Sequence, residues 1–242
     1  MSERNPQFGS PWTGADESLA DSGGRLDSEH VRSLLRVYFI MGSVNCRRPA
    51  AEVLAEAIAG GVTIFQFREK GPGALKGEAK LNLARELQGI CHSHGVPFIV
   101  NDDIDLAIAI DADGVHVGQD DEPARVLRKQ LGSRKIIGVS AHTPEEVRQA
   151  IADGADYLGI GPVYPTSSKD DARPVQGTVL IENLRREGIA IPLVGIGGIT
   201  VNNASPVLAA GADGISVISA IASASSPRSA AAELASFFGV EG

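Results

Sequence analysis

Short apolar runs rich in Val, Ile, Leu and Phe alternate along this chain with Ala- and Leu-rich stretches whose apolar residues recur at every third and fourth position. The first pattern belongs to strands buried on both faces, the second to helices that bury one stripe. The rhythm predicts eight strands, over 37–41, 63–67, 98–101, 114–117, 136–139, 157–160, 193–195 and 214–218. Helices fill the gaps, among them 50–59, 74–94, 144–153, 179–187 and 201–210. Gly60-Gly61-Val62-Thr63, Asp153-Gly154-Ala155-Asp156-Tyr157 and Ala210-Gly211-Ala212-Asp213-Gly214 each put glycine where a helix stops before a buried strand. Eight βα units in this length favour a closed parallel barrel, a single α/β (β/α)8 TIM barrel over 29–242, with an open doubly wound sheet as the alternative.

In such a barrel the residues just after each strand meet on one face, so they are read together. Val96-Pro97-Phe98-Ile99-Val100 runs into Asn101-Asp102-Asp103, an apolar strand ending in an amide and two carboxylates that read as a site, with a plain helix cap by Asp102 or Asp103 as the alternative. Gln66, Arg68 and Lys70 alternate with Phe67 and Glu69, which sends two cations to one side of the second strand's end, an anion site if they face a barrel mouth and a solvated charge run otherwise. Gly118-Gln119-Asp120-Asp121 follows the fourth strand. Carboxylates from adjacent strand ends suit Mg²⁺ completed by water and phosphate oxygens.

After the fifth strand, Thr143, Pro144 and Glu146 read as a helix cap, leaving Ser140 for chemistry. His142 has no visible partner, and His92, His94 and His116 receive no role. The sixth strand opens into the long loop that contains Tyr164, Thr166, Ser167, Ser168 and Lys169. Gly197-Gly198 and Ile218-Ser219 end the last two strands, where many barrels hold a phosphate. The inventory implies two phosphorylated small-molecule ligands.

Composition changes this picture only at its edges. With 30 acidic and 22 basic residues the net charge is −8, which argues against non-specific nucleic-acid binding. Only Cys46 and Cys91 occur, without metal-like spacing, as suits a reducing cytoplasm. No apolar run approaches the roughly 18 residues of a membrane span, and no apolar leader opens the chain, so a cytoplasmic protein without membrane contact is expected. Residues 1–28 hold too little apolar area to offset the entropy of ordering, and a disordered tail is expected there. The alternative is a small lid anchored by Phe8 and Trp12. Oligomeric state is left open.

Taken in order, Gln66-Phe67-Arg68-Glu69-Lys70, Asn101-Asp102, Gly114 to Asp121, Gly138-Val139-Ser140, Gly159 to Thr166, Lys169 and Gly197-Gly198-Ile199 resemble the signatures of the thiamine phosphate synthase family. The resemblance spans about residue 37 to the last helix. It implies that a pyrimidine pyrophosphate, 4-amino-5-hydroxymethyl-2-methylpyrimidine pyrophosphate, is joined to 4-methyl-5-(2-hydroxyethyl)thiazole phosphate, giving thiamine phosphate and pyrophosphate through a dissociative, carbocation-like step. By the same resemblance Arg68, Lys70, Asn101, Ser140 and Lys169 grip the pyrophosphate, and Asp102 and Asp121 hold Mg²⁺. Gln66 meets the pyrimidine, and Thr166, Ser168, Gly198, Ile218 and Ser219 form the thiazole phosphate site. The N-terminal extension departs from the family core, and Ser168 stands where threonine is expected. The alternatives are a thiazole phosphate tautomerase of the same barrel family and a non-catalytic barrel that binds a phosphorylated ligand.

Overall fold

Eight parallel strands close in chain order, each paired with its sequence neighbours and the eighth with the first. The computed structural model describes residues 24–168 and 173–239. Ser28–Leu34 (α1) precedes Val37–Met41 (β1), then come Ala50–Ala59 (α2), Ile64–Phe67 (β2), Gly77–Ser93 (α3), Phe98–Asn101 (β3) and Ile104–Ala109 (α4). Gly114–Val117 (β4), Ala124–Leu131 (α5), Ile136–Ala141 (β5), Pro144–Ala152 (α6), Tyr157–Ile160 (β6) and Val179–Arg186 (α7) continue the alternation. Leu193–Ile196 (β7), Ala204–Ala209 (α8), Gly214–Val217 (β8), Ser219–Ala222 (α9) and Pro227–Ala235 (α10) complete it.

The period of two along each strand sorts the core into two layers. Phe39, Met41, Phe65, Phe67, Val100, Val115 and Val117 face outward and pack with helix residues such as Leu54, Leu87 and Leu127. Tyr38, Ile40, Ile64, Ile99, Ile136, Tyr157 and Val194 face the barrel interior, together with Val31, Leu34 and Leu35 at the end of α1. That helix plugs the base of the barrel. It is absent from the sequence reading because seven residues hold too little periodicity to register.

The base is fastened by one device used four times. The residue just before an even-numbered strand accepts a backbone N–H from the first or second residue of the preceding odd-numbered strand: Val37 N to Thr63 Oγ1 at 2.9 Å, and Phe98 to Asp113, Ile137 to Asp156 and Leu193 to Asp213 at 2.8 Å each. The three carboxylates also take basic partners. His92 meets Asp113 at 3.0 Å, Arg25 and Arg128 meet Asp156 at 2.8 and 2.5 Å, and Arg32 and Arg185 meet Asp213 at 2.7 and 2.6 Å. Within the stretch expected to be disordered, Arg25 is therefore placed, and Asp27 caps α1 through Glu29 N and His30 N. Phe8 and Trp12 lie outside the described residues.

Element ends shift by a few residues for local reasons. β5 runs on through Ala141 because Ser140 and Ala141 stay paired with Gly159 and Ile160. β8 stops at Val217 because Ile218 caps α9. α8 begins at Ala204, since Asn203 is engaged in the preceding turn, accepting from Thr200 N at 2.7 Å. Among the described residues no helix is long and apolar enough to cross a membrane.

Candidate active site

The mouth of the barrel is assembled strand by strand. Beyond β2 the alternation holds: Gln66 is fully buried in the interior, and Arg68 and Lys70 line the mouth. Glu69, on the other side, is buried and accepts from Ser43 N, Ser43 Oγ and Leu75 N at 2.7, 2.6 and 2.7 Å. It thereby ties the loop after β1 to the loop after β2.

The two carboxylates after β3 divide their labour. Asp103 is the helix cap, its Oδ1 accepting from Leu106 N at 3.0 Å. Asp102 has φ +60°, a left-handed backbone that residues other than glycine rarely adopt. This conformation turns Asp102 onto the cavity wall, where its Oδ2 lies 3.0 Å from Lys70 Nζ. After β4, Gly118 N donates to Asp121 Oδ2 at 2.8 Å, and Gln119 Nε2 reaches the Ser140 carbonyl at 2.6 Å.

Thr143 caps α6 as its sequence predicts, accepting from Glu146 N at 3.2 Å. His142 is anchored on the Gly161 carbonyl at 2.7 Å, which Gln176 Nε2 also reaches at 2.7 Å. In the loop after β6, Thr166 Oγ1 accepts from Ser168 N, and Ser168 Oγ lies 3.2 Å from Ser219 Oγ. Gly198 has φ +63°, and a Cβ there would collide with the Pro165 carbonyl oxygen. The glycine expected to admit a ligand thus first admits the neighbouring loop.

One cavity of about 300 Å³ gathers Arg68, Lys70, Asn101, Asp102, Asp121, Ser140 and Thr166. Gln66 lies beneath it, donating to the Tyr38 hydroxyl at 2.7 Å. Ser168, Gly198, Ile218 and Ser219 are not on the cavity wall. Ser168 and Ser219 meet at the junction of the loops after β6 and β8. Lys169 lies outside the described residues. The wall also includes His116, Gln119, Asp120, His142, Arg173 and Ile196, to which the sequence reading gave no role. Alternation along β4 marks His116 as inward-facing, and Arg173 follows shortly after the long loop singled out beyond the sixth strand. Neither signal names a contact.

Burial raises the Cys46 thiol to about 11, with the Glu69 carboxylate adding to the effect, so no thiolate forms there near neutrality. Among the described residues no three His, Cys, Asp or Glu side chains gather to hold a metal. Three carboxylates, Asp102, Asp120 and Asp121, line this wall, and Asp102 with Asp121, from adjacent strand ends, match the Mg²⁺ habit of taking one or two carboxylates and leaving its other positions to water and phosphate oxygens.

The family model described as thiamine monophosphate synthase matches residues 37–221. A thiamine-phosphate synthase of Geobacillus kaustophilus is 64% identical over 211 residues, covering 87% of this chain and 95% of that protein. One from Bacillus cereus is 59% identical over 202 residues, covering 84% and 92%. Among solved structures, thiamine phosphate pyrophosphorylase from Pyrococcus furiosus is similar with a TM-score of 0.75 and 37% identity, covering 85% of this chain and 96% of that one.

Proposed function

The chain belongs to the thiamine monophosphate synthase family, and from that premise we propose that its mouth joins 4-amino-5-hydroxymethyl-2-methylpyrimidine pyrophosphate to 4-methyl-5-(2-hydroxyethyl)thiazole phosphate. One observation supports the reading above all: two cationic side chains, three carboxylates, two amides and a hydroxyl from four successive strand ends face a single cavity. That set suits a diphosphate leaving group. The bond between the pyrimidine methylene carbon and the diphosphate oxygen breaks with its electron pair on oxygen, leaving a benzylic-type cation. The thiazole nitrogen lone pair then closes the new carbon–nitrogen bond.

Because the nucleophile belongs to the substrate, the protein's task is to stabilise charge on the departing group. Arg68, Lys70, Asn101 and Ser140 are assigned to it, with Lys169 by resemblance. Asp102 and Asp121 would hold Mg²⁺, which when bound supplies positive charge against the diphosphate. Thr166, Ser168, Gly198, Ile218 and Ser219 are assigned to the thiazole phosphate. Two unpaired cysteines support a reducing, cytoplasmic setting.

Incubating the protein with both substrates and Mg²⁺ is expected to yield thiamine phosphate and pyrophosphate in equal amounts. Absence of product with both substrates present would overturn the assignment, and isomerisation of a thiazole phosphate alone would favour the tautomerase.

A further inference from the structure

A row of polar side chains crosses the barrel interior beneath the cavity. Gln66 Nε2 lies 2.7 Å from the Tyr38 hydroxyl, which lies 2.6 Å from the Tyr157 hydroxyl. That hydroxyl lies 2.9 Å from His116 Nδ1, and His116 Nε2 lies 2.9 Å from Ser140 Oγ. Gln66, Tyr38, Tyr157 and His116 are buried, and Ser140 opens on the cavity. Five different strands contribute one residue each.

Packing is arranged around this row. A Cβ on Gly138 would overlap the Tyr157 ring, and one on Gly159 would sit 3.3 Å from His116 Cε1. Glycine inside a strand marks just such a close approach. Tyr38 and Tyr157 meet edge to face with ring centroids 5.8 Å apart. Burial holds both phenols well above their ordinary titration range, so each keeps its single proton.

With one proton per hydroxyl, direction propagates along the row. The Gln66 amide donates to Tyr38, so Tyr38 donates to Tyr157 and Tyr157 donates to His116 Nδ1. The imidazole proton then sits on Nε2 and is donated to Ser140 Oγ. Ser140 keeps its own proton for the cavity. Turning the Gln66 amide over would reverse every link and leave Ser140 presenting lone pairs to an anion. Gln66 Oε1 is buried with no hydrogen-bond partner among the described residues, an acceptor left for a donor such as a ring amino group. Such a donor locks the amide in the orientation that makes Ser140 a donor.

We propose that His116 is a positioning residue, the last link of a one-way hydrogen-bond chain from Gln66 that aims the Ser140 hydroxyl proton at the leaving diphosphate. This rests on the reading that Ser140 contacts that group. The two ends of one substrate, amino group and diphosphate, are then coupled through the barrel interior.

Nitrogen-15 NMR of the full chain reads the His116 tautomer, and calorimetry with pyrophosphate and Mg²⁺ reads the consequence. The expected tautomer in the unsubstituted protein is Nε2–H. Ser140→Ala is expected to weaken pyrophosphate about tenfold or more, the scale of a hydrogen bond to a charged group. Tyr157→Phe is expected to mix the His116 tautomers and weaken pyrophosphate about three- to tenfold, the scale of one hydrogen bond between neutral groups. In the Ser140→Ala background it should add nothing. Tyr38→Phe breaks the same row and stands in should Tyr157→Phe fail to fold. An Nδ1–H tautomer in the unsubstituted protein, or a Tyr→Phe effect that persists in the Ser140→Ala background, overturns the proposal. Unchanged pyrophosphate affinity in Ser140→Ala overturns the assignment of Ser140 itself, and the positioning role with it, whatever the tautomer.

Discussion

At the scale of single residues, Asp102 carries the clearest mark of function, because its left-handed backbone is costly for a side chain of its kind and does not serve the cap that Asp103 already provides. Asp102→Ala and Asp121→Ala are each expected to lower turnover by at least about 10–100-fold, the range for groups that support a metal, and to abolish the response to Mg²⁺. Metal-titration kinetics checks this, and a variant with normal turnover and normal Mg²⁺ dependence would remove that residue from the metal site. Gly198→Val is expected to push the Tyr164–Pro165 segment away and raise KM for the thiazole phosphate far more than for the pyrimidine substrate. Equal increases would mean that the subsite lies elsewhere. Steady-state kinetics with each substrate varied in turn separates the two.

At the scale of elements, the carboxylates at the barrel base hold strands, helices and arginines in one network. Asp156 is buried, accepts from Ile137 N and takes both Arg25 and Arg128. Asp156→Ala leaves Arg128 without its carboxylate and is expected to destabilise the fold by about 3–5 kcal/mol, measured by denaturant unfolding. His92 beside Asp113 adds a pH dependence. The hydrogen bond to Asp113, the largest influence, raises the His92 pKa despite the opposing effect of burial. The stabilisation is therefore complete below the unfolded-state value of about 6.5 and is lost as pH rises through the higher folded value. His92→Gln should be more destabilising at pH 5 than at pH 9, with pH-dependent unfolding as the check. A penalty independent of pH would remove the charged pair from the account.

Element by element, the sequence reveals what is local. Thr143-Pro144 and the apolar strands are legible because cap and alternation act within a few residues. The contact of Asp156 with Ile137 N, the way α1 closes the base and the row from Gln66 to Ser140 join residues far apart in the chain. Periodicity gives each inward face but not which side chains meet across the interior. For that reason the sequence marks His116 as a strand residue and not as a partner of Ser140.

At the scale of the whole molecule, closure in chain order is what turns scattered strand ends into one mouth. The described base begins with Arg25, so truncations on either side of it should differ. Deleting 1–23 is expected to leave turnover and melting temperature nearly unchanged, whereas deleting 1–36 removes the α1 plug and should lower the melting temperature sharply. A marked loss from the shorter deletion would support the lid anchored by Phe8 and Trp12. In the proposed reaction this mouth speeds departure of a diphosphate from a carbon that becomes cationic. Single-turnover rates with the ordinary pyrimidine substrate and with one bearing an electron-withdrawing ring substituent test it most directly. A rate slowed by orders of magnitude is expected for the electron-poor substrate, and equal rates for the two would contradict it.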